Sequence, residues 1–444
     1  MKGSKLLPLK LLVIALTLGM LGCSGEKKAP KEPTEKANSE ATEIPVPVDP
    51  LVTETVTKPE AQEIGPRSIA YFTSWSCYDR ALTVKDIDPK LLTHINFAFA
   101  NIKEDGEVEV GDEEADVKMD FGTELGGNPE DAYGHFGQLR QLKLKYPELK
   151  VLISIGGWSW SSNFSDIAAD PGKRDKFASS AVEFITKYNM DGVDIDWEYP
   201  VEGGNNITHR VEDNVNYALL LKATRKALNE QSIKDGKIYL LSIAARAAGR
   251  FIYDANLSES MKYLDYINLM TYDFHGSWEN VTGFNSPLYD NTGNEQSMDA
   301  TVNAFVKAGI DPKDLNLGLA FYGRGWTKVA GKENNGIMQP AQVPTGIGYG
   351  KGTWETGVFD TWDIIENYVG KNGYVRYYDE TAECPYVFDG TNWIGYDDEQ
   401  SIKAKTEYAM EKGLGGVMFW EFAGDKNKVL QRTIAEVLGF KKVE

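Results

Sequence analysis

A short apolar run followed by a longer stretch with helical spacing recurs eight times after Arg67, and this repeat constrains the fold more than any other feature. Near-continuous apolar runs are typical of strands that are covered on both faces, as in parallel sheets. Eight such units in series predict an α/β fold, a (β/α)8 TIM barrel with its functional residues at the carboxyl ends of the strands. The predicted strands are Ser68–Thr73, His94–Ala100, Lys150–Ile155, Gly192–Trp197, Ile238–Ala244, Tyr266–Thr271, Asn316–Phe321 and Gly416–Phe422. The predicted helices between them include Lys173–Tyr188, Asn214–Glu230, Met298–Ala308 and Gln400–Lys412.

The interval between the seventh and eighth predicted strands is much longer than the others. It contains a helical segment, Trp362–Tyr368, and three short β-like runs. We therefore expect a small α+β insertion at residues 325–396, built onto a barrel domain that spans residues 67–440. The three β-like runs are Tyr374–Tyr378, Tyr386–Phe388 and Trp393–Tyr396.

The amino-terminal segment differs from the rest because none of the aromatic residues precedes Arg67. Three lysines and the apolar run Leu11–Leu21 stand before Gly22-Cys23, an arrangement that resembles a bacterial lipoprotein signal. We predict a signal peptide at residues 1–22, lipidation of Cys23 and anchoring on the extracytoplasmic side of the cell membrane, with release to the exterior as a further outcome. A plain secretory signal with an incidental cysteine is the alternative.

Residues 23–66 are rich in proline, glutamate, lysine and threonine. A segment of this composition buries too little apolar area to offset the conformational entropy that ordering would cost. We therefore predict a disordered linker over residues 23–66, which holds the folded domain away from the membrane.

Charge and cysteine content exclude several classes of function. The formal net charge is -19, and no cluster of lysine and arginine with interleaved aromatic residues is present, so we expect no nucleic-acid partner. The few cysteines and histidines are scattered without a CxxC pair, so we expect no metal site and no cofactor. The acidic stretch Glu104–Asp120 lacks EF-hand spacing and is interpreted as a solvated loop. Cys77 and Cys384 are expected to be free thiols, because a core of this size has little need of a disulfide.

The segment Asp191–Pro200 carries the strongest chemical signal. Asp194, Asp196 and Glu198 alternate with apolar residues, and positions i, i+2 and i+4 of a strand share one face. The three carboxylates should therefore point into the barrel together, with Glu198 nearest its mouth. Like charges in a core repel each other and lose hydration, which favours a catalytic role. A structural salt-bridge cluster is one alternative, and a metal site is another, although carboxylates without a nearby histidine bind transition metals weakly.

The string DGVDIDWE at residues 191–198 closely resembles the DxxDxDxE signature of glycoside hydrolase family 18, the chitinases and their relatives. Four further motifs agree with the family in order and in predicted position. The long insertion also resembles that of the chitinase subgroup with deep clefts. The four motifs are Ser154–Gly157 on strand three, Met270–Asp273 on strand six, Tyr322–Trp326 after strand seven and Trp420 on strand eight.

The resemblance implies a role for each catalytic motif residue. Glu198 would be the general acid/base, and the substrate's own N-acetyl group would be the nucleophile. Asp196 would bind the N-acetyl NH and stabilise the developing positive charge, and Asp194 would share a proton with Asp196. Tyr272 would donate a hydrogen bond to the N-acetyl carbonyl, and Trp420 would form an apolar floor beneath the sugar.

Ten residues are expected to bind the substrate by their position in or near these motifs. Their aromatic rings would stack on sugar rings along a cleft, and ordinary core packing is the alternative for each tryptophan. The ten residues are Tyr71, Trp75, Ser154, Gly157, Trp158, Asp273, Trp278, Tyr322, Arg324 and Trp420.

The function that the resemblance implies is that of a chitinase, a retaining hydrolase of β-1,4-linked N-acetylglucosamine polymers and oligosaccharides. An endo-β-N-acetylglucosaminidase or a wall-glycan hydrolase of the same fold is the alternative within the class. A non-catalytic chitin-binding lectin is the alternative from another class, but such family members usually lack the catalytic glutamate, which is present here as Glu198. We expect a monomer that contacts the membrane only through its lipid anchor.

Overall fold

The computed structural model describes residues 49–60, 65–126, 132–294 and 296–440. The strands of this part are β1 (Arg67–Thr73), β2 (His94–Ile102), β3 (Val108–Val110), β4 (Lys150–Gly156), β5 (Gly192–Asp196), β6 (Leu240–Arg246), β7 (Tyr266–Met270), β8 (Leu315–Ala320), β9 (Tyr322–Trp326), β10 (Val358–Asp360), β11 (Val375–Asp379), β12 (Cys384–Phe388), β13 (Trp393–Gly395) and β14 (Gly416–Trp420). The α-helices are α1 (Pro50–Thr53), α2 (Gly134–Lys145), α3 (Phe164–Ala169), α4 (Pro171–Lys187), α5 (Asp213–Asp235), α6 (Phe251–Asp254), α7 (Leu257–Ser260), α8 (Met298–Lys307), α9 (Thr361–Asn367), α10 (Glu399–Glu411) and α11 (Val429–Val437).

Eight parallel strands close into a barrel. Strands β2, β4, β5, β6, β7, β8 and β14 are neighbours in this order, and β1 pairs with both β14 and β2. The short strand β3 adds to β2 in antiparallel orientation. The predicted (β/α)8 barrel is therefore confirmed, and every predicted barrel strand begins and ends within two residues of an observed one.

The alternation of apolar and acidic residues in strand β5 places the two kinds of side chain on opposite faces of the barrel wall. Ile195 and Trp197 face the surrounding helices, where the Trp197 ring stacks on Phe164 with centroids 5.3 Å apart. Because successive side chains of a strand point to opposite faces, Asp194 and Asp196 point into the barrel. Burial of the apolar face keeps the two carboxylates on the inner side of the barrel. Each large apolar side chain that is buried stabilises this arrangement by about 1.5–3 kcal/mol.

The insertion between β8 and β14 forms a five-stranded antiparallel sheet in the order β10, β9, β13, β12, β11, with helix α9 beside it. The predicted β-like runs and helical segment are present. The sheet, however, begins at Tyr322, earlier than the predicted boundary at 325. The reason is that β9 pairs with β10 and β13, which lie later in the chain. A Cβ on Gly323 would come within 2.7 Å of the Ile364 side chain of α9. Glycine therefore lets β9 lie close against the layer that contains α9.

The predicted disorder of residues 23–66 is wrong for residues 49–60, which lie along the outside of the barrel. Leu51 is buried against Ala178 of α4 and Ala223 of α5. Asp49 forms an ion pair with Arg174, and the Lys58 ammonium donates a hydrogen bond to the Leu264 carbonyl at 2.8 Å. Leu51 and the partly buried Val56, together with these polar contacts, hold this segment, although its composition is that of a linker. The predicted signal peptide, Cys23 and residues 23–48 lie outside the described residues.

The acidic stretch Glu104–Asp120 is only partly a solvated loop. It contains β3, and Asp116 within it is completely buried. The Ser74 hydroxyl donates to the Asp116 carboxylate at 2.6 Å, and the Nδ1 atom of His135 lies 3.3 Å from the same oxygen. These partners come from distant segments, so charge counting alone did not identify Asp116 as a buried residue.

Cys77 and Cys384 are free thiols, as predicted. Burial raises the pKa of Cys384 to about 12 and that of Cys77 to about 11, so neither thiol is ionised near neutral pH. Among the described residues, no helix has both the length and the apolar character that a membrane span requires.

Candidate active site

The end of β5 is held in place by small residues of the neighbouring strand and loop. The Gly157 amide donates to the Asp196 carbonyl at 2.7 Å, and a Cβ on Gly156 would approach that carbonyl to 2.4 Å. The Ser161 hydroxyl donates to the same carbonyl at 3.1 Å and accepts from the Glu198 amide at 3.0 Å. The strand ends at Asp196, so Glu198 lies just beyond it, at the mouth of the barrel.

Asp194 is the best-partnered of the three carboxylates. Burial raises its pKa, and four hydrogen-bond donors oppose this effect because they stabilise the ionised form. None of these donors is a cation. The donors are Tyr71 Oη (2.8 Å), Ser154 Oγ (2.8 Å), Ser242 Oγ (2.6 Å) and Asn268 Nδ2 (3.3 Å).

Asp196 lies in the opposite situation. It is 4% exposed, and its Oδ1 atom has no hydrogen-bond partner among the described residues. Burial raises the pKa of Asp196 well above its ordinary value, and the nearby Glu198 and Asp194 charges raise it further. Burial and the neighbouring carboxylates thus favour the neutral form of the Asp196 carboxyl, as expected where close carboxyl groups share a proton.

The Glu198 carboxyl group is adjusted by several neighbours. Burial raises its pKa to about 7, the Asp273 charge also raises it, and the Tyr199 hydroxyl and Arg246 guanidinium lower it. A carboxylic acid with this pKa can both release and accept a proton near neutral pH. This is the property that a general acid/base requires.

One wall of the mouth is built from β7, β9 and the loop after β7. The Tyr322 hydroxyl donates to the Asp273 carboxylate at 2.6 Å, and Arg324 donates to the same oxygen through Nε (2.9 Å) and Nη2 (2.6 Å). Asp273 adopts a left-handed backbone conformation with φ of 59°. The Tyr272 ring packs edge-on to Tyr322 with centroids 6.1 Å apart, and burial raises the pKa of Tyr272, which keeps its hydroxyl a donor.

Aromatic rings form the floor of the mouth. The Trp420 ring lies against Phe99 with centroids 5.8 Å apart, and it also contacts Tyr71 and Trp75 at 5.7 and 6.4 Å. A sugar presents an apolar C–H face, which an aromatic ring covers without requiring a hydrogen bond. Trp420 at the end of β14 can therefore support a sugar ring beside Glu198.

Trp75, Trp158 and Trp278 are not core residues. They are 40%, 51% and 57% exposed, so the alternative of ordinary core packing is wrong for all three. The Arg324 guanidinium lies 5.1 Å from the centre of the Trp278 ring, which connects this tryptophan to the Asp273 wall. Exposed aromatic rings around one mouth are suited to stacking on successive sugars.

Arg80 is a site residue that sequence reasoning missed. Its guanidinium lies 3.2 Å from the Asp360 carboxylate of the insertion and 3.3 Å from the Glu421 carboxylate next to Trp420. It also lies 5.6 Å from the centre of the Trp354 ring. Arg80 thus connects the barrel floor to the insertion, and a lone arginine after β1 carries no motif that would reveal this.

Ser242 and Asn268 were also missed, although the sequence held a signal. Each is a polar residue inside an otherwise apolar barrel strand, β6 or β7. The parallel register places Ser242 directly beside Asp194, and Asn268 reaches the same carboxylate from the next strand but one. Polar residues within the predicted buried strands therefore indicated that polar side chains lie inside the barrel.

The described residues contain no group of three or more histidine, cysteine, aspartate or glutamate side chains arranged to hold a metal ion. The chemistry available at the mouth is instead proton transfer by Glu198, an acidic partner in Asp196 and a hydroxyl donor in Tyr272. Together with the aromatic floor, these groups define the site of a hydrolase that acts on carbohydrate.

Comparison with known proteins agrees with this class. The model for glycosyl hydrolases family 18 matches residues 67–425, and the chain belongs to this family. It is 40% identical over 408 residues to chitinase A1 of Niallia circulans, an alignment that covers 82% of this chain and 57% of that relative.

Two solved structures extend the comparison. Chitinase ChiA74 from Bacillus thuringiensis is similar with a TM-score of 0.79 and 38% identity, over 86% of this chain and 71% of that one. A family 18 N-acetylglucosaminidase from Paenibacillus barengoltzii is similar with a TM-score of 0.71 and 35% identity, over 84% of this chain and 99% of that one. The fold and the family of this glycoside hydrolase are thus established by sequence and by structure.

Proposed function

We propose that this protein is a chitinase of the subgroup with an α+β insertion, and that it hydrolyses β-1,4-linked N-acetylglucosamine polymers with retention at the anomeric carbon. The observation that carries the proposal is the Glu198 carboxyl, whose pKa is raised to about 7 beside a buried Asp196 that has no cationic partner among the described residues. The alignment of this chain with chitinase A1 covers 57% of that relative.

Hydrolysis proceeds in two steps, with the acetamide of the substrate as nucleophile. Glu198 protonates the glycosidic oxygen while the acetamide oxygen attacks C1, so the bond to the leaving sugar breaks and an oxazolinium ion forms. The Glu198 carboxylate then takes a proton from a water molecule that attacks C1, and the acetamide is restored. Two successive inversions at C1 give net retention.

Asp196, Tyr272 and Trp420 stabilise this intermediate. Burial disfavours the ionised form of Asp196, whereas the N-acetyl NH and the positive charge that develops beside it favour that form during reaction. Tyr272 donates its hydroxyl to the acetamide oxygen and so orients the nucleophile. Trp420 supports the apolar face of the sugar.

The remaining predicted substrate-binding residues divide by what they touch. Tyr71 and Ser154 act through Asp194, to which both donate hydrogen bonds, and Gly157 acts through its amide to Asp196. These three are positioning residues. Tyr322 is buried and acts through Asp273, to which it donates its hydroxyl. The residues that would face the sugar chain directly are Trp75, Trp158, Asp273, Trp278 and Arg324.

The similarity to an N-acetylglucosaminidase supports a second candidate, the release of single N-acetylglucosamine units by the same chemistry. The exposure of Trp75, Trp158 and Trp278 favours a long chain over a single terminal sugar. Endo-acting hydrolysis of N-glycans or wall glycans would need room for a branched or substituted chain. A lectin function is disfavoured because Glu198, Asp196 and Tyr272 are all in place.

Product analysis tests these alternatives. Digestion of a soluble N-acetylglucosamine hexamer should yield oligomers that initially carry the β-anomer, as followed by mass spectrometry and anomer-resolving chromatography. Fully deacetylated oligomers should remain intact because they lack the nucleophile, and a thiazoline mimic of the intermediate should inhibit. Rapid cleavage of deacetylated oligomers, or a glycosyl ester trapped on Asp196, would rule out this mechanism.

We propose in addition that the protein is exported as a monomer and anchored on the outer face of the cell membrane by lipidated Cys23. The support is the basic and apolar leader that ends at Gly22-Cys23. Cys23→Ala should move the protein from the detergent phase to the aqueous phase in a detergent partition. Partition of the unaltered protein wholly into the aqueous phase would contradict the anchor.

A further inference from the structure

A cavity lies in the insertion. Its volume is about 430 Å³, and all of its lining residues belong to the segment from Thr327 to Asn392. None of the residues assigned to the active site lines it. A cavity of this volume is within the range that holds a small ligand.

The cavity lies on the side of the insertion sheet that faces away from the reaction centre. Side chains of β9 alternate, and Arg324 points toward Asp273 at the barrel mouth. On the other face of β9, Phe359 lies over Gly325 and belongs to one apolar cluster with Tyr374, which lines the cavity. A ligand in this cavity would therefore be separated from the mouth by the sheet.

Tyr349 presents one ring face at this cavity. Its ring is parallel to that of Tyr368, with centroids 4.9 Å apart and planes at 6°, and Tyr349 is 56% exposed. The Gly350 amide donates to the Tyr368 hydroxyl at 2.8 Å, which holds the loop against its support. Ile347 in the same loop is 60% exposed, so this loop presents apolar groups to solvent. Such a rigid, open ring face suits the C–H face of a sugar.

Polar groups surround the ring. The Asp389 carboxylate accepts from the Asn392 amide at 2.6 Å and from its side-chain nitrogen at 2.8 Å, and the Thr327 hydroxyl donates to the Asn392 side-chain oxygen at 2.7 Å. These groups are thus fixed in position. The Lys351 ammonium also lines the cavity and forms no ion pair or hydrogen bond with the residues that the structure describes. One carboxylate and one ammonium, with neutral amides and hydroxyls, favour a neutral ligand that bears both donors and acceptors.

We propose that this cavity is a second saccharide-binding site, which holds a segment of a β-1,4-linked N-acetylglucosamine chain with one sugar stacked on Tyr349. The identity of the sugar rests on the proposed function, whereas the preference for a neutral saccharide rests on the cavity itself. A polymer held here remains close to the barrel mouth, which raises the effective concentration of chain ends and neighbouring strands at the reaction centre.

Tyr349→Ala tests this site. The variant is made in the Glu198→Gln background so that chitin is not consumed, and the barrel mouth is saturated with the thiazoline mimic. Adsorption to insoluble chitin should fall at least fivefold in the Tyr349→Ala protein. With Glu198 intact, Tyr349→Ala should change kcat/KM on a soluble trimer by less than twofold, and thermal melting should confirm the fold.

Tyr253→Ala is the matched control, since Tyr253 is 75% exposed on α6, outside this cavity. The control should adsorb like the parent. Equal adsorption of the parent, the control and Tyr349→Ala would overturn the second site, and so would an absence of adsorption by the parent with its mouth occupied. Failure of the unaltered protein to cleave soluble oligomers would count against the proposed function alone, because adsorption is measured without catalysis.

Discussion

Two buried carboxylates, Asp397 next to the insertion sheet and Asp196 at the barrel mouth, have very different surroundings. Asp397 forms an ion pair with the fully buried Lys405, and it accepts hydrogen bonds from Ser286 at 2.5 Å and Ser401 at 2.6 Å. Asp196 has no cationic partner, and one of its oxygens has no hydrogen bond within the described residues. Both side chains are buried, so burial alone does not distinguish a structural carboxylate from a catalytic one.

The two environments differ in the protonation state that they favour. Near Lys405, burial lowers the pKa of the ammonium, but Asp397 and the neighbouring Cys384 more than offset this effect, and the net shift is upward. The charged form of Lys405 is therefore favoured, and its ion pair with Asp397 fixes the insertion to α10. At the mouth, burial raises the pKa of both Asp196 and Glu198. There, the fold holds carboxyl groups close together in surroundings that disfavour their ionised forms, which is typical of functional sites.

Glu198→Gln should give the largest effect on catalysis. The amide keeps the size and hydrogen bonding of the side chain but supplies no proton, so turnover of a soluble hexamer should fall by about 10²–10⁴-fold. Oligomer binding, measured by calorimetry, should persist, and the melting temperature should not fall. Unchanged turnover in this variant would remove Glu198 from the mechanism.

Asp397→Asn should have its main effect on stability. Removal of one partner leaves the Lys405 charge buried and uncompensated, at a cost of about 3–5 kcal/mol in the free energy of unfolding. The activity of the folded fraction should remain because the mouth is untouched. Glu407→Gln is the matched control on α10, since its carboxylate is exposed and pairs with the exposed Lys403. Equal chemical denaturation curves for Asp397→Asn and the control would contradict the structural role.

Asp196→Asn distinguishes a catalytic carboxylate from a structural one, because this change should lower catalysis without a loss of stability. A neutral amide cannot stabilise the oxazolinium charge as a carboxylate does, so turnover should fall by about 10²–10³-fold. Removal of an ionisable group from a site that holds three carboxyl groups should leave the melting temperature equal or higher. A marked loss of stability would show that Asp196, like Asp397, has a structural role.

Arg246→Gln should give the smallest effect, on the pH profile. Glu198 must be protonated in the first step, so activity should decline as the pH rises through about 7, the pKa of this carboxyl. Because the Arg246 charge lowers that pKa, its removal should move the decline to higher pH, by less than about one pH unit at a partly exposed position.

Arg250→Gln is the control for the pH profile, as its side chain is 61% exposed and pairs with Asp254. A shift of the Arg246→Gln profile to lower pH, or an equal shift in both variants, would contradict the electrostatic role of Arg246.

Much of the candidate site could be predicted from short-range pattern. The period of two in Asp194–Glu198 places the carboxylates on one face, and the buried apolar runs identify the barrel strands. Short-range pattern did not predict β9, since the motif Tyr322–Trp326 was placed after the seventh strand without a strand assignment. Its strand character depends on pairing with β10 and β13, which lie tens of residues later.

The sequence by itself determined the barrel, the order of its strands, the face on which the carboxylates stand and the family motifs, because each follows from neighbours within a few residues. Only the tertiary structure decided which donors surround Asp194, why Asp196 lacks a partner and how Arg80 joins the insertion to the floor beside Trp420. These contacts arise from the register between strands and from loops that are distant in the chain. Burial and charge at a site depend on everything packed around it, and periodicity along one segment does not contain that information.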